Sequence, residues 1–180
     1  MRCSAAALVL VCITWALLDS ADAAPTQAQV MAEFIERFTR FIDWPEPALG
    51  PSEPFVVCVL GQAALRAPLE TILRSRPIKG RRGVLRVVDG RQLDELADCH
   101  VLYIAPGEMK RLRPLLDIAY GRPILTVADT PGAAAAGILI NFYRTGNYIR
   151  FEINMAAVAN GGLKARARLL RHARLITGGP

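Results

Sequence analysis

Histidine, cysteine and clustered acids are the side chains that could hold a metal or run acid–base and nucleophilic chemistry, and this sequence keeps them apart. His100 and His172 are its only histidines, and neither has an acid or a thiol at a ligand-like spacing. The patterns H-E-x-x-H, G-x-S-x-G, G-x-x-x-x-G-K-S/T and G-x-G-x-x-G do not occur. With the familiar nucleophile, base and metal assemblies missing, the expectation is a protein that is not an enzyme and uses neither cofactor nor metal. The basic turn from Lys79 to Gly83 (KGRRG) could hold an anion on its backbone amides. The next residues, Val84 to Val88, read as a strand rather than the helix a phosphate loop needs, so a solvated connection is the better reading.

Binding chemistry has more support. In GNYIRFEIN, residues 146–154, apolar residues alternate with Tyr148, Arg150, Glu152 and Asn154, so a strand here has one greasy face and one polar face. Tyr148, Arg150 and Glu152, with Asn141 on the preceding strand, are candidates for touching a partner or a ligand. A hydrogen-bonded network that holds the hairpin in place is the alternative, because buried polar groups must be paired in any case.

The elements that position these residues emerge from the pattern of the chain. Arg2, an apolar run from Ala5 to Leu18 and the small residues Ala21-Asp22-Ala23 describe a secretory leader over residues 1–23, cleaved after Ala23. The remaining 24–180 suit one domain, and no further run is apolar enough to span a membrane. Losing Arg2, Asp19 and Asp22 leaves 21 basic against 14 acidic residues, a net charge of +7. In an exported protein that charge points to an acidic partner surface or anionic lipid rather than nucleic acid. Cys58 and Cys99 are the cysteines left after cleavage, in an oxidising compartment. They either bridge a loop of about 40 residues, stabilising the fold by roughly 4 kcal/mol, or pack as two small hydrophobes.

Ala28 to Asp43 has the three-and-four spacing of an amphipathic helix, with Phe34, Phe38 and Phe41 expected in the core. Trp44-Pro45 stops it and leaves Trp44 as a candidate surface anchor. Strand patterns at 55–60, 84–88, 101–105 and 124–128 alternate with helical ones at 63–74, 91–97 and 108–120. That alternation predicts an α/β domain with a mostly parallel sheet flanked by helices. Ile138 to Arg144 and Asn147 to Ile153, joined at Thr145-Gly146, predict an antiparallel hairpin at its end. Asn154 is placed to cap a short helix from Met155 that Gly161-Gly162 breaks.

Leu163 to Ile176 then reads as a terminal amphipathic helix. On a helical wheel Lys164, Arg168 and Arg171 fall together as a basic stripe, opposite Leu169, Leu170, Ala173 and Ile176. They join the candidate docking residues. Arg166 projects into the apolar side, where it must reach water or pair with a carboxylate, Glu152 being the candidate.

The ordered set AEFIERFTRFIDWP, FVVCVLG, ADCHVLYIA, ILTVADTPG, INFY, IRFEIN and GGLKARARLLRHARLI, spanning residues 28–176, closely resembles the YfiR family of exported proteins. The resemblance implies a periplasmic α/β domain without enzymatic activity. Its best understood member binds the periplasmic sensor domain of an inner-membrane diguanylate cyclase, lowering cyclic-di-GMP and biofilm formation, and reducing or envelope-stress conditions release the cyclase. The resemblance also implies a Cys58–Cys99 bridge. Residues 126–142 of this chain lack the second cysteine pair that the best understood member carries around this region, and Ala165-Arg166-Ala167 stand where small hydroxyl residues are usual in similar proteins. A second copy of the chain and a small-molecule ligand stay open as further partners, the latter in a crevice near Gly61, Ala105 to Gly107 and Asp129 to Gly132.

Overall fold

The computed structural model describes residues 24–177 apart from 47, 51 and 90–92. The expected leader, residues 1–23, lies outside the described residues. Helix α1 (Gln27–Phe41) starts at a capping box: Thr26 Oγ1 accepts from the Gln29 N–H at 3.2 Å, and Gln29 Oε1 accepts from the Thr26 N–H at 2.7 Å. It ends two residues before the sequence pattern does, because Ile42–Asp43 turn extended as β1. This two-residue strand pairs antiparallel with β8 (Lys164–Ala165), clasping the end of the first helix to the last part of the chain.

Seven strands form the main sheet, in the order β3-β2-β4-β5-β6-β7-β9. They are β2 (Phe55–Leu60), β3 (Gly83–Val88), β4 (Val101–Ile104), β5 (Leu125–Ala128), β6 (Ile140–Thr145), β7 (Tyr148–Asn154) and β9 (Arg174–Ile176). All neighbours run parallel except β6 and β7, which form the expected antiparallel hairpin. The period-2 alternation of strands divides the core. Phe55, Val57 and Val59 pack with α1 and α2 (Arg66–Ser75), while Val56, Cys58 and Leu60 pack toward α3 (Leu112–Ala119) and a 3-10 segment at Leu93–Asp98. A sheet buried on both faces explains why FVVCVL carries no polar residue.

The expected helix over 108–120 is split into a 3-10 segment, Pro106–Arg111, and α3. Pro114 accounts for the break: it has no N–H to donate, so it is tolerated only within the first turn of a helix, where α3 places it.

The terminal helix expected over 163–176 is not there. The segment is β8, a single turn α5 (Ala167–Leu170) and β9. Two sheet edges outweigh its helical pattern: Lys164–Ala165 pair with β1, and Arg174–Ile176 pair with the outer edge of β7. Lys164, Arg168 and Arg171 therefore sit on β8, on α5 and at the end of α5, and form no helical stripe.

Candidate functional site

Asn141 on β6 and Glu152 on β7 face each other across the hairpin, and the Asn141 Nδ2 donates to Glu152 Oε1 at 3.0 Å. Both are buried, Asn141 to 1 % exposure and Glu152 to 4 %. The other carboxylate oxygen, Oε2, accepts from Arg174 Nε at 2.9 Å and from Arg174 Nη2. Arg174 comes from β9, and its guanidinium lies 4.1 Å from the centroid of the Tyr143 ring. One buried carboxylate thus ties β6, β7 and β9 together. The hydrogen bond to Glu152 raises the Arg174 pKa, so the guanidinium stays protonated.

These groups line a crevice of about 420 Å3 that also takes in Asp129, Pro131, Gly132 and Gln27. It lies beyond the carboxyl end of β5, where ligands of open α/β sheets collect. Asp129 Oδ1 accepts from the Tyr103 hydroxyl at 2.7 Å, and burial, followed by that bond, pushes the phenol well above its usual value, so Tyr103 remains a donor. Asn141 Oδ1 is buried with no hydrogen-bond partner among the described residues. At the Gly61 end of the expected crevice Glu108 packs so closely that a Cβ on Gly61 would meet its Cγ at 2.8 Å.

On the opposite face of the hairpin, a groove of about 510 Å3 runs between α1, the free end of β7 and α5. Its floor is an aromatic cluster. Phe38 sits 4.9 Å from Phe151 and 5.6 Å from Phe142 between ring centroids, and Phe34 lies 5.7 Å from Phe151. Phe38 and Phe151 are buried, whereas Phe34 and Phe41 are partly open, so the expected core role holds fully for Phe38. The rim carries Arg37, Arg40, Arg150, Arg168 and His172. Arg168 sits 5.6 Å from the Phe41 ring and Arg150 5.8 Å from the Tyr148 ring.

Trp44 is not the exposed anchor expected. It is 9 % exposed and meets Phe55 edge-on at 5.3 Å, with Lys79 5.4 Å from its ring centroid. Pairing of Ile42–Asp43 with β8 turns the chain inward and carries the indole into the core. The partner expected for Arg166 is also corrected: its guanidinium meets Asp43, with Nε to Oδ2 at 2.9 Å and Nη2 to Oδ1 at 2.7 Å. Arg174 occupies Glu152 instead. Tyr148 stands at the hairpin tip, 69 % exposed, and Lys164 and Arg171 are exposed. The basic turn is structural: Lys79 pairs with Asp43, and Arg81 donates to Leu49 O at 3.1 Å. Sequence reasoning missed Arg174 and the Asp43 clasp; both join segments far apart in the chain, so no local spacing marks them.

Cys58 and Cys99 are bridged, with Cα atoms 5.8 Å apart, and both are buried. The bridge lies in the α3-side core.

Among the described residues no group of three metal-ligating side chains converges, and no helix is long and apolar enough to cross a membrane. The molecule is thus of a definite class: a disulfide-stapled, mostly parallel α/β domain that carries a polar crevice on one side of its hairpin and a cationic aromatic groove on the other. The family model described as YfiR/HmsC-like matches residues 28–174, and the chain belongs to that family. A search of the curated proteins finds no match.

Proposed function

We propose that this protein is a periplasmic regulator that binds the sensor domain of an inner-membrane signalling enzyme, a diguanylate cyclase, and holds it inactive, so lowering cyclic-di-GMP. The observation that carries the reading is family membership over residues 28–174. The disulfide supports an oxidising compartment. A small rigid domain works in this way by binding one conformer of its target better than the other, and it shifts the target's equilibrium by no more than that difference in affinity. Tyr148, Arg150, Lys164, Arg168 and Arg171 are exposed and form the contact set of this reading. Asn141, Glu152 and Trp44 are buried and contribute by holding the hairpin and the clasp in place.

The test is direct mixing of the oxidised protein with the periplasmic domain of a membrane diguanylate cyclase from the same organism, with calorimetry for binding and cyclic-di-GMP measured in membranes carrying the full enzyme. Saturable binding together with reduced synthesis is the expected result. Unchanged synthesis at saturating protein, for every such cyclase in the organism, would refute the reading.

A second reading, a small-molecule sensor module, has one observation in its favour: the unpartnered Asn141 Oδ1 at the wall of the polar crevice. A ligand there would offer a hydrogen-bond donor to that oxygen. If Asn141→Asp and Asn141→Leu leave the response to every candidate ligand unchanged, this reading fails.

A further inference from the structure

Strand β7 is only half covered. The two-residue hairpin turn and the Asn154 N–H bond to Leu139 O, at 2.9 Å, set the phase of the β6–β7 ladder. In that phase the even-numbered residues of β7 bond to β6, and the backbone groups of Ile149, Phe151 and Ile153 point to the outer edge. Strand β9 begins opposite Glu152 and covers the edge from there to Asn154. From Tyr148 to Phe151 no strand lies alongside among the described residues. An edge of this kind is a template for one more strand.

That open edge forms one wall of the cationic aromatic groove, because Ile149, Arg150 and Phe151 all line it. No acidic side chain is among the lining residues. Arg40 is held by Glu36, at 2.7 Å, but Arg37, Arg150 and Arg168 have no carboxylate within ion-pair distance among the described residues. An open edge, an apolar floor and uncompensated guanidinium groups meet in one place. Each asks something different of an occupant: free backbone donors and acceptors, bulky apolar side chains on one face, and carboxylates on the other.

We propose that the groove binds an extended acidic segment of a partner protein, which adds as a strand to the Tyr148–Phe151 edge, sets apolar side chains on Phe34 and Phe41, and places carboxylates against Arg37, Arg150 and Arg168. The proposal rests on the regulator reading in one respect: that reading makes the partner the sensor domain. The clasp of β1 with β8 and the pairing of β9 fix both walls, so the groove is largely formed before the partner arrives, which limits the ordering cost to the segment itself.

The probe is a fluorescein-labelled heptapeptide alternating Glu with Phe and Val, compared with the same peptide bearing Lys in place of Glu and with a version N-methylated at alternate backbone nitrogens. Anisotropy should show saturable binding of the acidic peptide, weakening as salt is added. Both control peptides should bind at least about ten-fold more weakly, as should the acidic peptide to the Arg150→Glu/Arg168→Glu variant, whose exposed substitutions leave the melting temperature unchanged. In NMR spectra the backbone amides of Ile149 and Phe151 should move most on binding. Equal binding of the acidic and Lys peptides, no binding of the acidic peptide, an unaffected double variant, or a dimer in sedimentation that buries the groove would each overturn the proposal.

The same variant separates this idea from the regulator reading. If it loses the acidic peptide yet still inhibits the cyclase, the groove is not the sensor's docking site and the regulator reading stands. If the unaltered protein binds the peptide as expected but affects no cyclase, the groove stands and the regulator reading falls.

Discussion

Replacing both bridged cysteines, Cys58→Ala/Cys99→Ala, should weaken the fold without altering its architecture. The bridge spans 41 residues, and the loop-closure entropy it removes from the unfolded chain corresponds to about 4 kcal/mol. For a domain of this length each kcal/mol lowers Tm by roughly 2–4 °C, so a fall of about 8–16 °C is expected. Urea titration monitored by circular dichroism gives the free energy, and calorimetry gives Tm. Because Cys58 is 0 % and Cys99 3 % exposed, a reductant reaches the bridge only when the surrounding core opens. Dithiothreitol should therefore act slowly on the native protein, at a rate that tracks unfolding, and reduced protein should melt like the double variant. Rapid reduction at unchanged Tm, or a loss below about 1 kcal/mol, would mean that the bridge does not stabilise the fold in this way. On this account reducing conditions act by loosening the whole domain rather than by toggling a surface contact.

Further perturbations probe single contacts. His100 accepts from the Val56 N–H at Nδ1 (3.0 Å), faces Ala48 O with Nε2 and stacks on Phe55, and burial holds its pKa below the usual 6.5. Its contribution is complete above pH 6.5 and is lost as the pH falls from there through the lower folded value, so His100→Leu should flatten the acid limb of a Tm-against-pH profile. The Arg166 hydrogen bond holds the Asp43 carboxyl below 3.8, so Asp43→Asn should lower Tm at neutral pH and make no difference once the pH has fallen through the depressed value, where the native carboxylate also protonates. A Cβ on Gly83 would meet Leu73 Cδ2 at 2.8 Å and Leu73 O at 3.3 Å, so Gly83→Ala should cost about 1–3 kcal/mol in urea titrations by forcing β3 from α2.

The centre of the sheet was legible because β2, β4 and β5 are short, largely apolar runs punctuated by turn residues, and β2 at Phe55–Leu60 matches its sequence run to the residue. The hairpin was equally clear from its alternation and its glycine turn. Residues 163–176 misled because LKARARLLRHARLI satisfies the helical period, while the edges that capture it, Ile42–Asp43 and Glu152–Asn154, are far away in sequence or already busy in another pattern. A three-residue strand such as Arg174–Ile176 has too little length to show a period of its own. The same non-local capture explains both site errors. Trp44 went inward with β1, and Arg166 found Asp43 across 123 positions of chain, leaving Glu152 to Arg174 on β9.

Gln27 and Arg174 border the same crevice, so the start of α1 and the last strand lie side by side although nearly the whole domain separates them in sequence. The order in which the segments are joined is therefore not what holds them together. A circular permutant that fuses these neighbouring ends through a short linker and opens at the exposed turn around Gly80 would keep every strand partner, and its hairpin and groove would be displayed on a scaffold with entirely different termini.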